Sequence, residues 1–326
     1  MSDHITSVLI TGSSGTVGTA LAERLLKEGY VVHGADIAPN PWSDAVDERT
    51  TLVDLRDDDK VARLPTEVDM IVHLSAHARV HQLVERPELA MENIEMTFNV
   101  LEFARENEIG NVLFASSREV YGNNERIIYD ETATNTDASE SPYTASKVSG
   151  EAMVKSFGEC YGMRTCIVRF SNVYGRYDVS DRVVPLFIAE STRGRDLTVY
   201  GSEKVLDFTY LDDCVGGTFR VIDQYPKVRQ TTLNIASGRG SSLVELAELV
   251  NDRTPQESNI IVEPSRTGEV SRYIADISRA ERILGYSPEY TLSDGLAETI
   301  DWYLDRPEVL DNLRERRERS NRMTND

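Results

Sequence analysis

The sequence predicts an α/β protein: a doubly wound parallel Rossmann sheet followed by a smaller mixed α/β C-terminal region, and three observations carry that prediction. An apolar run, Val8 to Ile10, leads into a loop with glycines at 12, 15 and 18 and then into a helix-period run with Val17, Leu21 and Leu25. Short branched strands then alternate with helical stretches as far as Asn172, the order that a parallel sheet covered on both faces requires. Finally, 326 residues suffice for one large or two unequal domains with a substantial core.

The elements follow in order. Gly12 permits a sharp exit from the first strand, Gly15 lets the backbone approach a pyrophosphate, and Gly18 lets helix and strand pack closely, with the helix N-terminus facing the anion. Gly29 closes that helix. Tyr30 to Asp36 forms a second strand ending in an acid 18 residues after Gly18, where a carboxylate accepts from a ribose 2′-hydroxyl and repels a 2′-phosphate. Asp36 therefore favours NAD over NADP. Strands are expected at 51–55 and 70–75, separated by a short acidic helix, then a helix at about 88–107 whose apolar stripe is interrupted by Asn93. A strand at 111–116, a helix from about Tyr143 and a strand at 165–170 complete the sheet.

Beyond Asn172 the pattern loosens. A helix near 184–193, strands at 197–200, 207–211 and 233–237, and a last helix carrying Leu296, Ile300 and Tyr303 are expected. Ser242 with Glu245, and Ser278 with Glu281, have capping-box spacing. From Arg306 onward the sequence is mostly charged and reads as a frayed or disordered tail. The expected division is an NAD-binding domain over 1–172, with 207–230 returning to it, a substrate-binding domain over 173–206 and 231–310, and a charged tail over 311–326.

A formal charge of −20 argues against a nucleic-acid partner. Arginine supplies 29 of the 35 basic residues and acids are spread along the chain, a balance resembling that of proteins from salt-loving organisms. No apolar run reaches the roughly 20 residues that span a bilayer, and the first residues lack the pattern of a signal peptide, so a cytoplasmic protein without a membrane partner is expected. Three cysteines without a C-x-x-C suggest neither disulfides nor a zinc site. His73, His77 and His81 recur every four residues, but His73 belongs to a strand, so no metal site is expected and His77 reads as a substrate-loop contact.

The chemistry rests on Ser117, Tyr143 and Lys147. Tyr143 and Lys147, four apart, share a helix face, where an ammonium and a positively charged nicotinamide would both stabilise a phenolate. Ser117 would hydrogen-bond the reacting oxygen and share its proton with Tyr143.

TGSSGTVG at 11–18, Asp36, VDL at 53–55, HLSA at 73–76, SSREVYG at 116–122, SPYTASK at 141–147, RFSNVYG at 169–175 and DFTYLDD at 207–213 occur in the order seen in the extended short-chain dehydrogenase/reductase family. Over about residues 5–305 the chain resembles its NAD-dependent nucleotide-sugar epimerases and dehydratases, UDP-glucose 4-epimerase above all. The resemblance implies cofactor contacts at Gly12, Gly15, Gly18, Asp36, Asp54, Asn93, Tyr143, Lys147 and Phe170, and catalysis by Ser117 and Tyr143. It implies substrate-diphosphate contacts at Asn172 and Arg266, a nucleotide-base strand at Tyr200, and a homodimer formed by helices near 88–107 and 143–161. Leu206 stands where family members often carry a phosphate-clamping arginine, which leaves Lys204 or Arg182 to replace it. The 4,6-dehydratases need an Asp-Glu pair after the serine, and this chain has Arg118 and Glu119. A UDP-hexose 4-epimerase is therefore expected; dehydration or decarboxylation using Glu119, or a non-catalytic NAD-binding regulator, are the alternatives.

Overall fold

The computed structural model describes residues 4–123, 126–135, 137, 139–265 and 270–313. In chain order the sheet-building segments up to Asn172 are β1 (Ser7–Thr11), α1 (Thr16–Lys27), β2 (Val31–Asp36), α2 (Asp44–Asp47), β3 (Thr50–Leu52), α3 (Asp58–Val61), β4 (Met70–His73), α4 (Val80–Glu85), α5 (Glu88–Glu106), β5 (Asn111–Ser117), β6 (Ile128–Tyr129), α6 (Pro142–Tyr161) and β7 (Arg164–Phe170). There follow β8 (Asn172–Tyr174), α7 (Val183–Ser191), β9 (Leu197–Tyr200), β10 (Val205–Tyr210), α8 (Leu211–Asp223), β11 (Thr231–Ile235), β12 (Gly240–Ser242), α9 (Leu243–Asn251), β13 (Ile260–Glu263), β14 (Arg272–Ala275), α10 (Ser278–Leu284) and α11 (Leu292–Leu304).

Seven strands form one parallel sheet in the order β11-β7-β5-β4-β1-β2-β3. Alternation along β1 shows why both faces are covered. Val8 and Ile10 join a core with Leu21 and Leu25 of α1 and Val215 and Ile222 of α8, while Leu9 joins one with Met96 and Val100 of α5 and Val154 and Phe157 of α6. The strand order reverses at β1, between β2 and β4, so the C-terminal ends of β1 and β4 diverge into a crevice at the topological switch point.

A second sheet, β12-β10-β14-β6 with β8 also on β10, and a β9–β13 pair build the smaller region around its own core. The strand expected at 233–237 falls instead at 231–235 and pairs with β7 at the edge of the large sheet, so the segment expected to start at 231 opens on a strand of that sheet. Its register, Thr231 beside Cys166 through Ile235 beside Phe170, buries Leu233 and Ile235, which explains its place.

Two local expectations differ from the structure. Ser242 caps α9 by accepting from the Glu245 amide, but Ser278 lies inside α10, whose Ser278 amide is held by the Asp276 carboxylate at 2.9 Å. Residues 307–313 are helical and bury Val309, Leu310 and Leu313, so the chain stays on the core past Arg306; residues 314–326 lie outside the described residues. The apolar positions 309, 310 and 313 have helical spacing, a signal that the surrounding charges obscure.

Candidate active site

The glycine loop turns directly under the crevice. Gly12 has φ of +75°, and its amide donates to the Ala35 carbonyl at 2.8 Å; a side chain there would meet the Ser75 amide at 2.9 Å. A Cβ on Gly18 would strike the Gly12 carbonyl, so the first turn of α1 sits against the loop only because the residue is glycine. Gly15 is the N-cap of α1 and offers no side chain to obstruct that helix end. At the end of β2, Asp36 accepts from the Ser14 amide at 2.9 Å and the Ala38 amide at 3.1 Å, so its carboxylate is held at the edge of the loop. A bare helix N-terminus, a backbone cradle that a Cβ would fill and a carboxylate beside it fit a dinucleotide.

Asn93 and Asp54 shape the neighbouring wall. Asn93 accepts from the His77 amide at 2.7 Å and donates to the His77 carbonyl and the Ser146 hydroxyl, both at 3.1 Å, joining the loop after β4 to α6. Asp54 is bound by Arg56 through two hydrogen bonds, which hold its carboxyl well down, at about 2. Arg56 continues to Glu92 at 2.8 Å, and Glu92 receives the His77 ring at 2.8 Å. Ala76, Ala78 and His81 line the cavity, whereas the His77 ring is tied back to α5. The regular histidine spacing does not survive folding. His73 bonds Thr11 at 2.7 Å in full burial, which pushes its imidazole down to about 3, and His81 pairs with Glu85.

One cavity of about 620 Å³ runs from Val17 past the ends of β5 and β7 to Tyr200 and Lys204. Ser117, Tyr143 and Lys147 all line it, as do Phe170 and Asn172. Ser117 ends β5 and caps a 3₁₀ turn over Arg118–Tyr121, its hydroxyl accepting from the Glu119 amide at 3.2 Å. Ser141 caps α6, and Pro142 pre-sets its first turn, which delivers Tyr143 at the helix start and Lys147 one turn on. Burial raises the Tyr143 phenol above its ordinary value; the Ser117 hydrogen bond and then the Arg182 charge oppose it. Lys147 is buried, donates to the Ala115 carbonyl at 2.8 Å and lies 6.0 Å from the Tyr143 ring centre. Burial lowers its ammonium to about 8, with Glu151 opposing the shift.

Beside Ser117, Arg118 pairs with Glu119 at 2.9 Å and donates Nε to Asn172 Oδ1 at 3.2 Å. Glu119 is 4% exposed, and its Oε2 and the Arg118 Nη1 are buried without hydrogen-bond partners. At the far wall, Leu206 is buried against the cavity, so the missing arginine leaves an apolar patch, and Lys204, 3% exposed, and Arg182 line the same space. Arg266 lies outside the described residues.

Residues 8–236 match the family model described as "NAD dependent epimerase/dehydratase family". The chain belongs to that family. An uncharacterized UDP-glucose epimerase of Bacillus subtilis, YtcB, is 31% identical over alignments covering 90% of this chain and 96% of the relative. A dTDP-glucose 4,6-dehydratase of Escherichia coli is 27% identical, covering 94% of this chain and 95% of the relative. The solved UDP-glucose 4-epimerase of Thermus thermophilus, in complex with NAD, superposes with a TM-score of 0.84 at 27% identity, covering 92% of this chain and 99% of that one. Family membership thus carries an NAD-dependent enzyme acting within the epimerase/dehydratase group.

Two contacts at the site escape sequence reasoning, although Arg182 itself was a candidate from the sequence. Arg182 reaches across to donate to the Ala78 carbonyl at 3.3 Å, and Arg79 pairs with Asp181 at 3.2 Å, so the loop after β4 and the segment before α7 meet over the cavity. These residues are about 100 positions apart and share no motif. Glu151, by contrast, had a readable signal: it lies one helical turn beyond Lys147, an acid on the inward face of α6.

Proposed function

We propose that the chain is a nucleotide-sugar 4-epimerase of the UDP-glucose/UDP-galactose type. The observation that carries the reading is the pairing inside SSREVYG: a cation, Arg118, stands where a 4,6-dehydratase requires an acid, and it engages Glu119 at 2.9 Å. The group that would remove a C5 proton is thereby committed to an ion pair, while Ser117, Tyr143 and Lys147 keep the equipment for chemistry at C4.

In this reading Gly12, Gly15, Gly18 and Asp36 hold the dinucleotide, and Phe170 borders its nicotinamide end. NAD, when bound, would supply the acceptor of the C4 hydride, a positive charge beside the phenol and, once reduced, the hydride that returns to C4 of the keto sugar. Ser117 hydrogen-bonds the C4 oxygen and passes its proton toward Tyr143 Oη. Lys147 steadies the negative charge there, its ammonium fixed by the Ala115 carbonyl. The resulting 4-keto sugar turns over while its diphosphate stays anchored, and Tyr143 returns the proton to the C4 oxygen. Asn172, Lys204 and Arg182 hold the diphosphate, with Lys204 replacing the arginine that Leu206 displaces, and Tyr200 flanks the base. The large sheet with β11 serves as the cofactor domain and the remainder after β8, α8 excepted, as the substrate domain. Met91 and Phe98 on α5 and Tyr161 on α6, 65%, 47% and 56% exposed, suit a homodimer through those helices.

Incubation with UDP-glucose, UDP-galactose, UDP-glucuronate and dTDP-glucose, read by mass spectrometry and NMR, tests the assignment. Inverted C4 at unchanged mass is the expected result. Loss of water or of carbon dioxide would assign the lyase chemistry instead, and no conversion of any of them would favour a binding protein.

A further inference from the structure

Behind the cavity, a charged cluster is buried where β5, α6 and β7 meet. Arg169 of β7 is 1% exposed, donates Nε and Nη2 to the two oxygens of Glu151 at 2.8 and 2.7 Å and Nη1 to the Glu131 carbonyl at 3.0 Å, and stacks 4.8 Å over the Tyr121 ring. Glu151 also accepts from the Ser116 hydroxyl at 2.6 Å, and Lys155 approaches it at 3.6 Å from the exposed side. A buried ion pair returns little net stability, because desolvating both charges offsets their attraction. What this one does is geometric. Tyr143, Lys147 and Glu151 follow one another at four-residue spacing along α6, and the last two are tied to Ala115 and Ser116, the two residues that lead into Ser117.

We propose that Glu151, clamped by Arg169, is a positioning residue for the reaction: it sets the register of α6 against the end of β5 and so fixes the Ser117–Tyr143 contact and the place of the Lys147 ammonium. The inference rests on the reading of Ser117, Tyr143 and Lys147 as the reacting set. It has an electrostatic side as well. The groups facing Lys147 are Tyr143 and Glu151 from α6, the Ala115 carbonyl and Phe114 ring from β5, and His73 from β4, and Glu151 is the one that keeps the ammonium charged. Those around Glu151 are Arg169, Ser116, Lys155 and, past the guanidinium, Tyr121 and Glu131.

Three variants test it. Glu151→Gln keeps the shape and removes the charge; the double variant Glu151→Leu/Arg169→Met replaces the pair with apolar groups of similar bulk, so no buried charge is stranded; Ser116→Ala removes a single pin. For the first two, kcat should fall about ten- to a hundredfold, as a misplaced reacting group predicts, with KM changed less than about threefold. The alkaline limb of the kcat–pH profile should move down by about half a unit or more, because Lys147 loses the negative neighbour that favours its charged form. Ser116→Ala should lower kcat about threefold at unchanged KM. Any folded variant of the first two with wild-type kcat and an unmoved alkaline limb overturns the proposal; if neither folds, an unchanged kcat in Ser116→Ala does so. Side-chain NMR titration of Lys147 separates this from the functional reading. If the wild type converts no nucleotide sugar, that reading fails, yet a lowered Lys147 pKa in Glu151→Gln still supports the clamp and an unchanged one overturns it.

Discussion

The floor of the cavity and its far wall are built on different principles. The floor comes from β5 and α6, with Ser117 tied to the Glu119 amide and Lys147 to the Ala115 carbonyl, and behind it Glu151 is tied to Arg169. The far wall comes from the segments around Arg79, Asp181, Arg182 and Lys204, where Arg79 and Asp181 form an ion pair with side chains 38% and 47% exposed. In the proposed mechanism the floor carries the proton transfer, which tolerates little positional error and so belongs on rigid elements, and the wall recognises the substrate from connecting segments that change more freely. The difference teaches where to look for chemistry and where for selectivity.

Substitutions should divide accordingly. The largest effect belongs to the floor: Tyr143→Phe should lower kcat by about 10³-fold, within the range for loss of a positioned acid–base group, while NAD affinity measured by fluorescence titration stays within about threefold. Turnover near the wild-type rate would remove the floor from the mechanism. At the wall the expected change is in binding. Lys204→Met should raise KM for the nucleotide sugar about tenfold, the loss of one charge-assisted hydrogen bond, with kcat within about threefold. A fall in kcat at constant KM would erase the division between the two regions.

Protonation sharpens the same contrast. Burial lowers the Lys147 ammonium to about 8, and in the proposed mechanism its charge steadies the phenolate, so initial rates measured across pH should decline above about 8. A rate that keeps rising to pH 10 would show that the ammonium is dispensable. The smallest effect lies below the floor at His73, whose buried ring has its pKa lowered to about 3 from 6.5. Between those values the unfolded chain binds a proton that the folded chain does not, so stability falls as pH drops through that window. In chemical denaturation this slope should flatten in His73→Asn; an identical slope would place the acid sensitivity elsewhere.

Legibility follows the same line. The glycine loop, Asp36 and the Ser117, Tyr143 and Lys147 set were readable because each depends on local spacing, a strand end, a helix turn or a close backbone approach. The contacts that close the wall were not, because Arg182, itself a candidate from the sequence, meets Ala78 through the packing of segments distant in sequence. The histidine spacing was readable in the same local way: the sequence places His73 in a strand, and the structure ends β4 at His73 and begins α4 only at Val80. The place of β11 was not legible because an edge strand of a parallel sheet can arrive from any later part of the chain, and its apolar residues look the same in either region.

The central claim is transient oxidation at C4 with the hydrogen returned to the same carbon. The direct measurement follows deuterium placed at C4 of UDP-glucose or UDP-galactose by NMR and mass spectrometry. The account predicts an epimer that keeps the deuterium at C4 with no mass change. Deuterium found at C6 with loss of water, or exchanged into solvent, would contradict it.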